Sequence, residues 1–543
     1  MSTQSLSGIS SEARYVVEER HYAKPSFDCG FDTPFGLLNL RSGTVFLFLM
    51  GILLLSSCTL PSDAPETPAD FVLVTDATSS VPSPTAFLPQ TPTSISATET
   101  AIPLPTQTSP NPPVRNGKTR PEYVIKAILN YPAHTLDVEQ TIRYTNQSNT
   151  ALDALVLAVD PNRWGDCFEL QSLSLNGFSI SPQLEGMRME IPFGAKLQPG
   201  ESVTLEMAYR LNIPPKQNDQ VFGYLSDFQI NLVNWYPFIV PYDDTEGWLI
   251  HSPSGLGEHL VYETSDFDVT LKIEGGEDVV VAASAAGKQT GVWYQYQLEG
   301  ARTFAFSISS AFSSETVSSE NGSVTSFYFL DYDKPGKAIL NAASRAIDIY
   351  SRRYAPNPYE HLSIVQTHLP DGMEYDGLIF MGSEFYDEYD GTLKNNLIAL
   401  GVHEVSHQWF FGLVGSDQAL EPWLDESLAL YSERVFYEET PPYPITWWWR
   451  WRVTWFQPSG WVNATIYDST DFRGYTDAAY LQGALFLEEL RTRIGEKAFT
   501  TILQDYAASY THQITTTDDF FDIVDRHTDQ DYSDIVDAYF LNR

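Results

Sequence analysis

Cysteine and positive charge are both scarce in this sequence of 543 residues, which contains three Cys and 32 Lys and Arg against 70 Asp and Glu. Three cysteines cannot form a disulfide framework or a cysteine-rich zinc module, so any metal site must be built from histidines and carboxylates. The formal charge of −38 argues against nucleic acid as a partner, because phosphate binding needs a basic surface. It also argues against electrostatic docking on anionic lipid, which requires clusters of Lys and Arg.

The sequence also lacks a run of about 20 apolar residues, the length that spans a membrane as a helix. A shorter uncharged apolar stretch, Thr44 to Leu55, follows Arg41 and ends just before Cys58. Its length and flanks fit the core of a signal peptide, and its end resembles a bacterial lipobox, in which the Cys is lipidated and becomes the new N-terminus. We predict a leader over residues 1–58, lipidation at Cys58, and an extracytoplasmic chain anchored to the cell membrane. The alternative is a short uncleaved anchor.

The segment that follows, residues 59–118, is rich in three residue types that do not build a core. From Thr59 to Val114, 30 of 56 residues are Pro, Ser or Thr. Such a composition cannot bury enough apolar surface to offset the entropy of ordering the chain. We therefore predict a disordered stalk that holds the folded part away from the membrane.

Two patterns divide the remaining residues. Over 119–322, apolar and polar residues alternate, as in Ser202 to Met207 and Phe267 to Ile273, which predicts antiparallel strands. Over 323–543, helical spacing dominates, with short strands predicted at Leu362–Thr367 and Leu378–Met381. We predict helices near residues 338–354, 392–414, 422–438, 477–495, 496–508 and 517–541. The predicted fold class is a β domain followed by a mainly helical α+β domain.

The helical half contains a pattern that carries chemistry, His403-Glu404-Val405-Ser406-His407. Residues four apart lie on one face of a helix, so both imidazoles can reach a single ion. Glu404 lies beside them, where it can address a water without ligating the metal. A catalytic zinc needs a third protein ligand and an open position, and Glu426 follows at the start of the next predicted helix.

These motifs, HEVSHQWF and the downstream WLDES that contains Glu426, resemble the zinc aminopeptidases of the aminopeptidase N and leukotriene-A hydrolase family, the gluzincins. The resemblance is specific over about 320–543. It implies one Zn²⁺ per chain, held by His403, His407 and Glu426, and a thermolysin-like catalytic domain. It covers 119–320 loosely, as the saddle-like β domain that precedes the catalytic domain in that family.

Further residues take implied roles from the same resemblance. Asp371-Gly372-Met373-Glu374-Tyr375 is similar to the family's G-x-M-E-N element, which implies that Gly372 and Met373 contact substrate and that Glu374 binds its free α-amine. The alternative for Glu374 is an exposed loop carboxylate.

Tyr480, in a segment similar to the family's Y-x-K-G, is expected to stabilise the transition state, with Tyr475 as a competitor for that role. Glu433 matches a carboxylate that supports a zinc-bound His in relatives. Its alternatives are a solvated helix face or an ion pair near Arg434.

The sequence departs from the family pattern at Asp371, Tyr375, Asp425 and Gln482, where relatives have Gly, Asn, Asn and Lys. No residue of the β domain is recognisable as the family's acidic or amide residue that helps to hold the amine. The chain ends at Arg543, after the catalytic domain, so we expect a short form without the helical C-terminal domain and with a more open cleft.

The resemblance and the motifs together predict an extracytoplasmic zinc aminopeptidase, with Glu404 as general base, that acts on peptides with a free N-terminus. Within enzymes, the alternative is a zinc endopeptidase with the same site in an open cleft. From another class, the alternative is a catalytically inactive, peptidase-like surface binding protein. An intact metal set with Glu404 argues against the last, because a binding module needs no general base there.

Overall fold

The computed structural model describes residues 119–543 except 218, 219 and 227. The predicted leader, its lipidation site Cys58 and the predicted stalk lie outside the described residues. Within the described part, no helix is both long enough and apolar enough to cross a bilayer.

The first half of the described chain is built on an eight-stranded sheet. In sheet order its strands are Lys288–Thr290, Trp293–Ala301, Ser265–Glu274, Glu122–Asn130, Thr135–Thr145, Ser202–Asn212, Phe168–Leu175 and Phe178–Ser179. All neighbours are antiparallel except Glu122–Asn130 and Ser265–Glu274, which pair in parallel. The prediction of a purely antiparallel domain therefore misses one pair. Period-two alternation shows which residues face the core, but it does not show strand direction.

Smaller sheets pack against this one. One four-stranded sheet comprises Val280–Ala283, Phe306–Ser309, Gln229–Leu232 and Gly223–Leu225, and another comprises Phe238–Ile239, Leu152–Ala158, Arg188–Leu197 and Gln183–Glu185. Tyr242–Asp243 and Gly247–Trp248 form a two-stranded ribbon. In Glu122–Asn130 every second side chain is buried, as alternation predicts, and these side chains join one large apolar cluster.

A second region begins with a five-stranded sheet. Its order is Phe312–Ser319, Gly322–Phe329, His361–Thr367, Leu378–Gly382 and Gly372–Tyr375, with the three middle strands parallel to one another. Both strands predicted here are present, and each is one residue longer than expected. The division predicted between residues 322 and 323 falls at the start of strand Gly322–Phe329 and stays a prediction.

Helices make up most of the rest. They are Asp333–Arg353, Ser383–Asp387, Asn396–Ser406, Trp423–Glu439, Ile445–Trp448, Phe472–Thr476, Gly483–Ile494, Glu496–Ser509, Thr517–His527 and Ser533–Tyr539. Short 3₁₀ segments at Asp160–Arg163 and Thr454–Phe456, π-helical segments at Trp449–Val453 and Asp477–Gln482, and the two-stranded pair Gly415–Ser416 with Ile514–Thr515 complete the structure. The helix predicted over 392–414 is much shorter, because Asn395 caps its start and a tight turn follows His407.

A buried arginine joins the β region to the helical region. Arg302 is 4% exposed, and its guanidinium donates to the carbonyl oxygens of Tyr262, Phe411, Gly412 and Gln513. Its backbone N–H donates to Asp376 at 2.9 Å. Arginine can satisfy several carbonyls at once because its five N–H donors have a fixed fork geometry. Arg302 therefore fixes the turn that directly follows His407 against the β region.

Candidate active site

The predicted metal ligands come from two packed helices. Helix Asn396–Ser406 starts where the Asn395 side chain accepts the N–H of Ile398 at 3.2 Å, and His403 and Glu404 lie in its last turn. His407 is the next residue after the helix and keeps helical backbone angles. Glu426 lies in the first turn of Trp423–Glu439. All four side chains are at most 5% exposed.

The donor atoms of His403, His407 and Glu426 lie within 4.8 Å of one another. Glu426 Oε2 is 3.3 Å from His403 Nε2 and 3.8 Å from His407 Nε2. A regular tetrahedron with bonds of about 2.1 Å has edges of about 3.4 Å, so these separations suit tetrahedral coordination. His407 Nε2 is buried with no hydrogen-bond partner in the structure. The three residues therefore fit a zinc-sized cation.

The electrostatics of this pocket also favour positive charge. Burial opposes protonation of His403, but the carboxylates of Glu426 and Glu433 outweigh it and raise the pKa of this imidazole to about 9. Burial likewise opposes protonation of His407, and Asp425 and Glu426 raise its pKa to about 9. Two imidazoles held as cations by carboxylates mark a site whose field stabilises a bound cation.

Each imidazole is held from behind by a carboxylate. Asp425 Oδ1 is 2.6 Å from His407 Nδ1, and Glu433 Oε1 is 3.3 Å from His403 Nδ1. A carboxylate on Nδ1 holds the proton there and leaves Nε2 as the metal-facing atom. Glu433 has no exposed surface and is also bound by Arg452 and by the Trp448 indole at 2.8 Å.

Glu404 lies between the metal ligands and the strand Gly372–Tyr375. One of its carboxylate oxygens, a carboxylate oxygen of Glu374 and a nitrogen of His407 lie within 4.8 Å of one another. Burial raises the pKa of Glu404 well above its usual range, and the charges of Asp371, Glu426 and Glu258 add to this, although His407 opposes it. A carboxylate with a raised pKa at this place can both accept and release a proton.

A second acidic pair adjoins the ligands. Glu374 is 2% exposed and Glu258 is half-buried, and carboxylate oxygens of Glu258, Glu374 and Asp425 lie within 4.8 Å of one another. Burial raises the pKa of Glu258 to about 7, and the charges of Asp425 and Glu426 act in the same direction. The exposed-loop alternative for Glu374 is wrong, because its side chain is buried in a strand.

Glu258 corrects the sequence analysis, which found no acidic counterpart in the β region. It belongs to a loop before strand Ser265–Glu274, outside the segments with strand or helix periodicity. Gly257 positions this loop closely, because an added Cβ there would lie 2.6 Å from Ile466 and 2.8 Å from the Tyr475 hydroxyl. A Gly-x-Gly-Glu sequence between predicted strands was the available signal.

The structure separates the two candidate tyrosines. The Tyr480 ring is nearly parallel to His403, with centroids 6.3 Å apart, and its hydroxyl lies beside the Glu426 carboxylate. Tyr475 instead lies against Gly257. Tyr480 is in the π-helical segment Asp477–Gln482, which packs closely on the Glu426 helix because Ser427 Oγ donates to the Ala479 carbonyl at 2.5 Å. π-helical turns are frequent at functional sites.

Gly372 and Met373 lie in the strand at the edge of the five-stranded sheet. This strand pairs on one side with Leu378–Gly382, and its other side has no strand partner in the described residues. Met373 is partly buried and packs against the β-region core. Of the departures, Asp371 lines a pocket with Glu404 and Tyr480, whereas Gln482 donates to the Pro458 carbonyl at 3.0 Å.

Four residues around the site were not predicted as functional: Glu258, Gln418, Asp425 and Arg452. Asp425 was noted as a departure but not as a partner of His407. Arg452 stands in the aromatic segment WWWRWRV, where a buried arginine needs a carboxylate. Nothing in the sequence around Gln418 marks it.

The sequence of this chain is similar to those of known peptidases. Residues 339–539 match the family model of the Peptidase family M1 domain. The aminopeptidase N of Lactobacillus delbrueckii subsp. lactis is 26% identical over 302 residues, which cover 50% of this chain and 35% of that protein. The aminopeptidase N of Lactococcus lactis subsp. lactis is 22% identical over 435 residues, which cover 70% and 50%. The chain thus spans about a third to a half of the length of these two relatives.

Solved structures show the same fold. A mutant M1 zinc metallopeptidase from Deinococcus radiodurans matches with a TM-score of 0.57 and 17% identity over 78% of this chain and 95% of that chain. A structure from the same organism bound to a Tyr-Ser-Ala substrate matches with a TM-score of 0.54 and 16% identity over 77% and 94%. The predicted fold class, a β domain followed by a mainly helical catalytic domain, is confirmed.

Gly372→Ala should inactivate the site without removing its metal ligands. An added Cβ would lie 2.2 Å from Glu404 Oε1 and 2.5 Å from its Cδ, so the carboxylate must move. We expect kcat/KM to fall about 100-fold, the usual effect of a 1 Å misplacement, while zinc content by elemental analysis stays at the wild-type level. Gly194→Ala is the control, because nothing lies within 4 Å of its added Cβ. Wild-type kcat/KM in Gly372→Ala would contradict this geometry.

Proposed function

Because the chain belongs to peptidase family M1, the aminopeptidase N family of gluzincins, we propose that it is a zinc aminopeptidase that hydrolyses the N-terminal peptide bond of oligopeptides. The observation that carries this proposal is the contact between Glu258 and Glu374 directly beside the metal ligands. Paired carboxylates at that place suit a substrate with a free ammonium group next to the bond that is cut.

Zinc suits the donor set. Two imidazole nitrogens and one carboxylate oxygen are the ligands of the His₂Glu class of catalytic zinc sites. His403, His407 and Glu426 would hold the ion. Bound there, zinc supplies a Lewis acid that polarises the scissile carbonyl and acidifies the attacking water.

Glu404 is the general base in this proposal. Its carboxylate accepts a proton from the attacking water and then donates it to the nitrogen of the leaving amine. Its buried position between the metal ligands and the edge strand supports this role, because a water held by the metal would lie next to this carboxylate. Its raised pKa brings the acid and base forms closer in energy near neutral pH.

Tyr480 stabilises the charge that develops on the carbonyl oxygen of the substrate. Its hydroxyl lies beside the Glu426 carboxylate, and its ring lies 6.3 Å from that of His403, so it is placed to donate to an oxygen that approaches the metal site. Donors of this kind are typically worth about 3–4 kcal/mol in a dry site. Tyr475 is held against Gly257, which favours Tyr480 for the role.

The substrate main chain has a natural place beside these groups. Strand Gly372–Tyr375 is at the sheet edge, and an extended peptide can add to such an edge through backbone hydrogen bonds. Its ammonium group would then lie between Glu374 and Glu258, whose carboxylate oxygens lie within 4.8 Å of each other. This acidic end of the cleft favours the aminopeptidase over the endopeptidase alternative.

Glu404→Gln should retain zinc and lose turnover. The amide keeps the size of the side chain but cannot accept the proton, so kcat for an aminoacyl reporter amide should fall by about 100-fold to 10,000-fold. Zinc by elemental analysis should remain at one per chain. Glu388→Gln, an exposed glutamate on the same region, should leave both quantities unchanged. A Glu404→Gln protein with kcat within tenfold of wild type would sink the general-base role, and a zinc-free wild type would favour the binding-protein alternative.

Glu374→Ala should weaken the binding of substrates with a free amine. Loss of a hydrogen bond to a charged group, about 1.5–3 kcal/mol, corresponds to a KM that is raised about tenfold to a hundredfold. Wild-type enzyme should hydrolyse an N-acetylated peptide at least about a hundredfold more slowly than the same peptide with a free N-terminus. Equal rates on the two peptides would support the endopeptidase alternative and leave the zinc hydrolase intact.

We propose further that the enzyme works outside the cytoplasm, anchored to the membrane through Cys58. Support comes from the sequence alone, in the apolar run Thr44 to Leu55 and the lipobox-like end before this cysteine. A long Pro/Ser/Thr-rich segment between anchor and enzyme would give peptides access to the cleft.

Cys58→Ser should move the enzyme from the membrane fraction to the soluble fraction and abolish labelling by a radioactive fatty acid. The reason is that the lipid is attached to this thiol and holds the mature chain. Cys29→Ser, in the part of the leader that would be removed, should behave as wild type. If Cys58→Ser stays in the membrane fraction, the uncleaved-anchor alternative is correct.

A further inference from the structure

One buried glutamine lies between the amine site and the metal site. Gln418 is 4% exposed, and its Nε2 donates both to Glu258 and, at 2.8 Å, to Asp425 Oδ2. The other oxygen of Asp425 lies 2.6 Å from His407 Nδ1. A continuous chain of hydrogen bonds therefore runs from Glu258, in the β region, to a predicted metal ligand.

The amide suits its place chemically. Oxygens of Glu258, Glu374 and Asp425 lie within 4.8 Å of one another, and carboxylates that close repel when ionised. An amide nitrogen carries two hydrogens and no charge, so it can hold two of these groups at once. Each carboxylate then has a defined orientation instead of turning away from its neighbour.

The backbone around Gln418 is fixed from both regions. Asp417 accepts the backbone N–H groups of Ala419 and Leu420, each at 3.1 Å, and its other oxygen lies 2.7 Å from His251 Nε2 in the β region. The carbonyl of Ala419 accepts the N–H of Ile466 at 3.0 Å. These bonds fix the backbone that carries Gln418, so its side-chain amide can hold Glu258 and Asp425 in defined positions.

We propose that Gln418 is a positioning residue that aligns the amine-binding carboxylate Glu258 and, through Asp425, the metal ligand His407. This inference rests on the proposed amine site. The side-chain hydrogen bonds of Gln418 go to Glu258 and Asp425, and neither of these residues is a predicted metal ligand. The loss of Gln418 therefore affects both functions at once, metal retention through His407 and recognition of the substrate amine through Glu258.

The test is Gln418→Met, which keeps the length of the side chain and removes both donors. Outer hydrogen-bond partners of metal ligands typically contribute tenfold to a hundredfold in metal affinity, and we expect the zinc Kd, measured by competition with a chromophoric chelator, to rise about tenfold. The ratio of kcat/KM for a free peptide to that for its N-acetylated form should fall by about the same factor.

Two further variants separate positioning from general destabilisation. Gln366→Met removes another buried glutamine, which lies outside the site and whose Oε1 accepts the Phe329 N–H at a distance of 2.8 Å. This variant should leave the zinc Kd and the substrate ratio within twofold of wild type. Glu258→Gln should lower the substrate ratio but keep the zinc Kd within twofold, because it lies beyond Gln418 from the metal.

The outcomes are distinct. A wild-type zinc Kd and a wild-type substrate ratio in a folded Gln418→Met protein would overturn the proposal, and so would equal losses in Gln366→Met. If Gln418→Met does not fold, Gln418→Glu keeps the size and replaces the donor with an acceptor, and it should show the same two losses. A wild-type enzyme that fails to hydrolyse aminoacyl reporter amides would instead contradict the proposed function, while the zinc Kd still tests the link from Gln418 to His407.

Discussion

The crowding of seven carboxyl groups, six of them buried and one half-buried, around two imidazoles is the constraint on which the rest of this structure depends. The seven are Glu258, Asp371, Glu374, Glu404, Asp425, Glu426 and Glu433. A carboxylate taken from water is destabilised by several kcal/mol unless a cation or a set of donors compensates it, so such a cluster requires positive partners. Arg452 compensates Glu433. The remaining charge is suited to a metal ion at the histidines, an ammonium group at Glu258 and Glu374, and protons on the carboxyl groups whose pKa burial raises. The cations and protons that stabilise this buried cluster are therefore the same groups that the proposed chemistry uses.

The surrounding structure holds these groups where their charges are useful. The two ligand helices place His403 and Glu426 on facing turns, and Glu433, two turns further along the second helix, reaches back to the other nitrogen of His403. The π-helical segment with Tyr480 is fixed to the same helix by the bond from Ser427 to the Ala479 carbonyl. His403, His407 and the segment that carries Tyr480 thus have partners that set their orientation, which is a property of a preorganised site.

The sequence predicts some parts of this arrangement well because their determinants are local. The spacing of His403, Glu404 and His407 on a helix, and the β-then-helical order of the chain, follow from periodicities that a single segment contains. The parallel pairing of Glu122–Asn130 with Ser265–Glu274 does not follow from the sequence pattern, because a strand alternates in the same way whether its neighbour runs parallel or antiparallel to it. Glu258 and Gln418 are 160 residues apart, and only the folded chain brings them together. The helix predicted over 392–414 was too long because apolar spacing continues through the turn after His407, where Gly412 and the bond network of Arg302 decide the path of the backbone instead.

In the proposed aminopeptidase, selectivity for the chain end depends on the contact between two regions of one chain. Glu374 belongs to the catalytic sheet and Glu258 to a loop of the β region, so the amine site exists only when the two are correctly placed. Arg302 and Asp376 make that placement rigid through bonds to backbone groups on both sides, and the turn they fix is the one that follows His407. Because a displacement of 1 Å can lower the rate by about 100-fold, the same buried contacts that stabilise the fold also set the distance between the amine and the metal. In the proposed function, an ammonium group held by Glu258 and Glu374 would bring only the first peptide bond to the metal, so the position of this pair beside Asp425 would select the bond next to the N-terminus.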